Sequence, residues 1–241
     1  MLRVHSIESL GTFDGPGIRQ VLFLQGCNFK CLYCANPDTI EFAGGKEYET
    51  DDLAKMALSQ RPFYGKKGGV TVSGGEPLMQ AQGLLALFSR LKSEGINTCI
   101  DTNGSILTPT VKGLLEYTDL VLLDIKQIDN EKHKNLTGVS NERTLAFVDY
   151  LSQTNHPTWI RYVMVPGYSN DDSDLHALGK HLSGMRNIEK LEIQPYHKLG
   201  VHKYESMGWK YQLLSTPTNT LEELENAKTI FSQYVKEVVI N

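Results

Sequence analysis

The chain has 241 residues, 40% of them hydrophobic and 22% charged, with a formal net charge of -4, enough to bury the core of one large α/β domain or two small ones. Charges of both signs are mixed along the sequence, which gives no electrostatic case for a nucleic-acid or anionic-membrane partner. The apolar runs are strand-sized and Met1 to Ser6 lacks the apolar core of a signal peptide, so a cytoplasmic protein without a membrane anchor is expected.

Taken in order, Ile18 to Leu24 is rich in β-branched and aromatic residues and stops at Gly26, predicting a strand that runs into Gly26-Cys27-Asn28-Phe29-Lys30-Cys31-Leu32-Tyr33-Cys34. Thr50 is placed to cap a helix through Gln60, and Gly68-Gly69 leads into a second strand, Val70 to Val72, ending in Ser73-Gly74-Gly75-Glu76-Pro77. Leu84, Leu87, Phe88 and Leu91 recur at helical spacing, and Gly95 closes that helix. Strand Asn97 to Ile100 ends at Asp101-Thr102-Asn103-Gly104, a helix follows from about Pro109, and strand Leu120 to Leu123 ends at Asp124-Ile125-Lys126. Ser140 is placed to cap a helix through Leu151, Trp159 to Val165 reads as the fifth strand, and Leu175, Leu178, Leu182 and Met185 give the next helix its buried stripe. Lys190 to Gln194 is the sixth strand, and a looser segment from Tyr196 to Asn219 leads from it to the last helix. There Thr220 and Glu223 make a capping-box pattern ahead of Leu224, Ala227, Phe231 and Tyr234. No Pro/Ser-rich linker, internal repeat or low-complexity tract divides the sequence, so one domain over residues 1–241 is expected. Six βα units are two short of a closed eight-stranded barrel and predict an open, partial barrel.

Three of the four cysteines fall within the C-x3-C-x2-C run Cys27, Cys31, Cys34. Soft thiolates at close range select zinc or an iron-sulfur cluster, and three of them would leave one iron of a cubane without a protein ligand. The competing reading, a structural zinc knuckle completed by His5 or His133, lacks the second paired arm that such sites use. Cys99 lies in a strand pattern and reads as core. In parallel βα folds, ligands gather at the C-terminal ends of strands, where this chain puts its unusual polar residues. Gly74 and Gly75 would let a ligand approach the backbone and Glu76 could accept from an ammonium group, although an ordinary turn with Pro77 opening a helix reads the same way. Asp101 and Asp124 are candidates for a cation or ribose hydroxyls, or plain caps. Lys126 is placed to meet an anion, or to lie solvated on the surface. Arg161 interrupts an apolar strand, and a charge there needs a carboxylate partner. His197 follows the sixth strand, and Asp14 lies in the loop before the first, with a turn beside Gly15 and Pro16 as the plain alternative.

The cysteine run, with aromatic Tyr33 before its third cysteine, resembles the signature of the radical S-adenosylmethionine enzymes. The preceding Asp14-Gly15-Pro16-Gly17-Ile18-Arg19 is similar to the signature of glycyl-radical-enzyme activases, and the similarity extends over nearly the whole chain. Between Cys34 and Gly74 there is no cysteine, whereas many activases insert a cysteine-rich ferredoxin-like segment there, so the resemblance is to the type that serves pyruvate formate-lyase. It implies a (β/α)6 partial TIM-type barrel open on one side to admit a large substrate. It implies a 4Fe-4S cluster on Cys27, Cys31 and Cys34, whose open iron takes the amino and carboxylate groups of S-adenosyl-L-methionine. Gly74, Gly75 and Glu76 would hold the cofactor's amino group, Asp101 and Asp124 would contribute to a monovalent-cation site beside its carboxylate, and Lys126 would meet that carboxylate. Tyr33 would be a cofactor-binding residue and the backbone of Ala35 would lie at the adenine, with His197 a further contact and Arg161 a candidate for another. A family histidine after the third cysteine is replaced here by Ala35, so only the backbone contact carries over. The implied reaction takes an electron from reduced flavodoxin or ferredoxin, splits the cofactor into methionine and a 5'-deoxyadenosyl radical, and removes hydrogen from a glycine of pyruvate formate-lyase. Asp14 is then a candidate for contacting that glycine segment, and a monomer is expected. Activation of a different glycyl radical enzyme, and a noncatalytic cluster or zinc protein that senses redox state, are the rival readings.

Overall fold

Strand β2 (Arg19–Leu24) is buried along nearly its whole length, as a strand covered on both faces must be. It pairs in parallel with β4 (Gly69–Gly74), which pairs in parallel with β5 (Asn97–Thr102). These relations come from a computed structural model that describes residues 1–241.

Two compact units make up the chain, the first formed by Met1–Asn28, Thr39–Thr102 and Ile106–Leu122, the second by Phe29–Asp38, Asn103–Ser105 and Leu123–Asn241. In the first unit, β1 (Leu2–Gly11) runs antiparallel to β2 and carries the short β3 (Lys46–Tyr48) antiparallel on its other side. Helices α1 (Thr50–Ser59), α2 (Arg61–Tyr64), α3 (Ala81–Ser93) and α4 (Pro109–Leu115) belong to the same unit. The predicted stripe Leu84, Leu87, Phe88 and Leu91 is the buried face of α3, and β6 (Leu120–Asp124) follows α4. The second unit contains α5 (Asn130–Thr137), α6 (Glu142–Gln153), β7 (Thr158–Met164), α7 (Asp172–Leu182), β8 (Ile188–Pro195), α8 (Val201–Ser206), α9 (Leu221–Phe231) and β9 (Val238–Ile240). Within it β7, β8 and β9 are parallel neighbours. Strands β2, β4, β5, β6, β7 and β8 are the six predicted from sequence, and with their helices they form the open (β/α)6 partial barrel.

Several helix ends differ from the sequence expectation for local reasons. Glu49, not Thr50, takes the extended N-cap conformation of α1, with no side-chain cap bond, and Asp51 and Asp52 supply the first-turn negative charge. Asn141, already in helical conformation and without a side-chain cap bond, directly precedes α6, and the predicted Ser140 caps from one residue further out, its Oγ accepting from Glu142 N at 3.3 Å. Helix α7 stops at Leu182, because Gly184 takes a positive φ of 83°, so Met185 falls beyond the buried stripe. The last helix ends at Phe231, short of Tyr234, but its Thr220–Glu223 capping box is present with both reciprocal bonds.

Candidate functional site

In the first unit, β2 delivers Gln25, Gly26 and Cys27 at its C-terminal end. Gly26 and Cys27 donate their N–H groups to the carbonyls of Thr39 and Ile40 at 2.8 and 2.9 Å. The Gly74-Gly75-Glu76 turn is fastened to this approach. Gly75 N donates to Leu24 O at 2.9 Å and Glu76 N to Gly26 O at 2.7 Å. A β-carbon on Gly74 would lie 2.3 Å from Leu24 N, and one on Gly75 would lie 2.1 Å from Gly26 O, so glycine is required at both for the backbones to meet. The structure thus brings the predicted glycine turn and the first cysteine's approach together.

Glu76 is buried, and its Oε1 accepts from Leu78 N at 3.0 Å and from Thr102 Oγ1 at 2.6 Å. It caps the 3-10 turn Pro77–Gln80, so the plain reading of this carboxylate holds alongside any ligand role. Asp101 sits in β5, with Ser73 Oγ donating to its Oδ2 at 2.7 Å. Asp14 is half-buried in the loop between β1 and β2, its carbonyl accepting from Thr71 Oγ1 at 2.6 Å. Cys99 is fully buried, as expected of a core residue.

In the second unit the later part of the cysteine loop is pinned to the end of α5, where Lys30 N and Leu32 N donate to the carbonyls of Thr137 and Leu136 at 3.0 and 2.9 Å. Tyr33 packs in an apolar cluster with Leu136, Val165, Tyr196, Tyr204, Tyr211 and Leu213, against which Cys31 also lies. Burial lifts the Tyr33 phenol well above its ordinary pKa. Burial also pushes the Cys34 thiol up, opposed by the Asn36 N–H and by the charge of Lys126, so a thiolate there gains from a bound cation. Lys126 and Asp124 form an ion pair at 2.6 Å, and the Lys126 ammonium stands 5.7 Å from the centre of the Tyr33 ring. Burial works against that ammonium, but Asp124, Tyr33 and Cys31 outweigh it and hold its pKa well above the usual lysine value. The surface alternative for Lys126 is therefore set aside, since its side chain is only 11% exposed.

Arg161 finds its carboxylate in Glu192 on the neighbouring strand, with Nε to Oε2 at 3.2 Å, and Lys190 holds the other oxygen of Glu192 at 2.7 Å. His197 is exposed just beyond β8, its Nδ1 accepting from Leu199 N at 3.3 Å. Ala35 lies under Gly200, where a β-carbon would come within 2.7 Å of Ala35 O. His133 has its Nδ1 2.7 Å from Val139 O and its ring edge-on to Phe29. No three His, Cys, Asp or Glu side chains, the three cysteines included, converge as the ligands of a single metal ion would.

Sequence reasoning missed α5 and Lys203. The first carries the cysteine loop, and its signals were present: Asp129 caps it by accepting from Lys132 N at 2.8 Å, and Gly138 ends it with φ 84°. The second lies in α8, inside the segment expected to be loose, and reaches Asn36 Oδ1 at 2.8 Å and Asp38 Oδ1 at 3.1 Å just past the third cysteine.

A family model described as the Radical SAM superfamily matches residues 21–178. The chain is 49% identical over 240 residues, 98% of each sequence, to the pyruvate formate-lyase 1-activating enzyme of Escherichia coli (strain K12). It is 48% identical over 218 residues, 87% of each, to the pyruvate formate-lyase-activating enzyme of Staphylococcus aureus (strain USA300). Among solved structures, a domain of pyruvate-formate lyase-activating enzyme from Bacteroides vulgatus ATCC 8482 superposes with a TM-score of 0.62 at 24% identity, over 72% of this chain and 99% of that one. Streptococcus suis SuiB gives a TM-score of 0.69 at 15% identity, over 90% of this chain and 47% of that one, a likeness of fold.

Proposed function

Because the chain belongs to the radical SAM superfamily and, within it, to the pyruvate formate-lyase activating enzymes, we propose that it activates pyruvate formate-lyase by generating a glycyl radical at the expense of S-adenosyl-L-methionine. The observation that carries this reading is 49% identity across 98% of both sequences. The donor set agrees with it: Cys27, Cys31 and Cys34 share one short loop, are partly exposed and form no disulfide, which suits a 4Fe-4S cluster with three cysteine ligands and one open iron. When bound, the cluster and cofactor supply a low-potential electron and a sulfonium whose carbon-sulfur bond can break to leave an acceptor for one hydrogen atom.

The chain's own residues bind and orient. Gly74 and Gly75, free of side chains so that the turn packs on the end of β2, present their backbone to the cofactor's amino end, and Glu76 offers a carboxylate to the ammonium group. Asp101 and Asp124 serve a monovalent cation beside the cofactor carboxylate, which Lys126 also meets. Tyr33 binds the cofactor and the Ala35 backbone borders the adenine, with His197 and Arg161 as further contacts. Asp14 meets the glycine segment of the partner, whose backbone must arrive at near-attack distance. Residues 1–241 act as one catalytic domain, monomeric and cytoplasmic, receiving its electron from reduced flavodoxin or ferredoxin.

The test is anaerobic incubation of the reduced protein with S-adenosyl-L-methionine and pyruvate formate-lyase. A glycyl doublet in the spin-resonance spectrum is expected, with deuterium from the target glycine recovered in 5'-deoxyadenosine. Alanine at Cys27, Cys31 or Cys34 abolishes both signals and lowers iron and acid-labile sulfide, while Cys99→Ala retains them. Cofactor cleavage with the radical appearing only on another glycyl radical enzyme would reassign the partner, and zinc without sulfide would refute the reading altogether.

A further inference from the structure

Arg19 is the largest fully buried side chain of the protein. A guanidinium is costly to bury, and the groups this one donates to are neutral oxygens. Its Nη1 reaches Pro16 O at 3.0 Å, its Nη2 reaches Val70 O at 2.8 Å and Asn97 Oδ1 at 3.0 Å, and its Nε reaches Thr71 Oγ1 at 2.5 Å. Burial lowers its pKa, opposed by the charges of Cys99 and others around it. The stem of the same side chain supports the loop before β2. Gly15, at φ 114°, is close enough that a β-carbon would lie 3.2 Å from Arg19 Cδ and 3.3 Å from Cys99 Sγ.

Thr71 is the central member of this arrangement. It lies in β4, in register with Val21 of β2 and Cys99 of β5, and is fully buried. A threonine hydroxyl has one proton to give. With Arg19 Nε occupying an acceptor position, that proton goes to Asp14 O at 2.6 Å. The rotor is therefore fixed from one side and used on the other.

We propose that Thr71, oriented by Arg19, is a positioning residue for Asp14, holding the Asp14–Gly17 loop on β4 so that the Asp14 carboxylate meets the substrate's glycine segment in a set geometry. This rests on the role for Asp14 proposed above. The physical content is preorganisation: a loop anchored through Asp14 O and Pro16 O has less backbone freedom to lose when a peptide binds.

The experiment uses the full chain with its cluster reconstituted, in parent, Thr71→Val, Thr71→Ser, Asp14→Asn and Thr71→Val/Asp14→Asn forms. Two quantities are read: amide hydrogen exchange of residues 14–18, and KM and kcat with a glycine-loop peptide of pyruvate formate-lyase. Valine keeps the shape and removes the hydroxyl, so exchange and KM should each rise by about fivefold, roughly what one neutral hydrogen bond is worth, with kcat changed far less. Serine should restore parent behaviour, and valine should add nothing to KM once Asp14 is asparagine. Arg19→Lys, which keeps the charge and loses the fork, gives a second route to both readouts should the valine variant not fold.

Unchanged exchange in these variants would overturn the anchoring. Faster exchange with parent KM, or an equal valine effect in the Asp14→Asn background, would overturn the link to substrate. A parent protein that cleaves the cofactor yet never marks the peptide refutes the partner reading alone, because the exchange measurement still decides whether Thr71 holds the loop.

Discussion

Replacing Gly75 by alanine tests whether the glycine turn and the approach to Cys27 are one rigid piece. The added β-carbon would lie 2.1 Å from Gly26 O, 2.6 Å from Gly26 C and 3.0 Å from Thr39 O, all backbone atoms that cannot rotate away. Gly26 cannot retreat cheaply either, because its N–H is held by Thr39 O at 2.8 Å. The turn must therefore move, stretching the bonds from Gly75 N to Leu24 O and from Glu76 N to Gly26 O. Two backbone hydrogen bonds at about 1 kcal/mol each, with about 1–3 kcal/mol of overpacking, give a loss of about 3 kcal/mol or more. Gly113 in α4 is the control, since a β-carbon there meets nothing within 4 Å. Gly113→Ala should stabilise by about 0.5–1 kcal/mol through helix propensity. Urea unfolding measures both, read from the midpoint at constant m-value. Calorimetric titration with S-adenosyl-L-methionine should show weakened binding for Gly75→Ala and none of that for Gly113→Ala. A Gly75→Ala protein within about 0.5 kcal/mol of the parent, with unchanged cofactor affinity, would refute the reasoning.

Two further outcomes are expected. Arg161→Met removes one partner of a nearly dry ion pair with Glu192 but leaves that carboxylate held by Lys190 at 2.7 Å, so its cost should fall below the roughly 3–5 kcal/mol of a buried charge left alone, whereas Lys190→Met, whose own side chain is more exposed, should cost less still in the same unfolding assay. A stable Arg161→Met protein with lost cofactor affinity would instead place Arg161 at the ligand. His133, whose pKa burial lowers against the opposing pull of the Val139 carbonyl, is neutral in the folded state. As pH falls through about 6.5 the unfolded chain takes up the proton first, so stability should drop from there toward the lower folded pKa. The slope is at most about 1.4 kcal/mol per pH unit, and His133→Phe should remove that part of it; identical pH profiles would refute the assignment.

Most of the fold was legible because the strands that build it are apolar and end in glycine or aspartate. Val70, Val72, Val121 and Leu122 are wholly buried, and such runs announce themselves in a sequence. Strand β1 was not visible, because only Leu2, Val4 and Gly11 of its residues are buried and its pairing with β2 slips register twice, between Val4 and Ser6 and between Glu8 and Gly11, so no clean alternation marks it. Helix α5 was missed for a related reason: it buries only His133, Leu136 and Thr137, too few for a stripe, and its caps alone did not mark it. At the site, the need for a carboxylate beside Arg161 followed from the cost of a buried charge, while its identity as Glu192 is a matter of register between β7 and β8. The clash that fixes Gly75 is likewise a tertiary fact, since Gly26 lies 49 positions away in the chain.

The segment expected to be loose is closed on itself. Tyr196 N donates to Asn219 Oδ1 at 2.9 Å across its ends, Tyr196 Oη lies 2.8 Å from Tyr211 Oη and 3.1 Å from Leu213 O, and Lys198 Nζ reaches Leu214 O at 2.6 Å. It is in effect a small closed lobe that holds α8 and its own aromatic cluster of Tyr196, Tyr204 and Tyr211. Its exposed tip around Gly208, where the backbone turns at φ 69° and a β-carbon would meet nothing within 4 Å, is consequently a natural grafting point. A fluorophore or affinity tag spliced there would ride on a loop whose ends are already tied, leaving Lys203 free to keep its hold on Asn36 and Asp38.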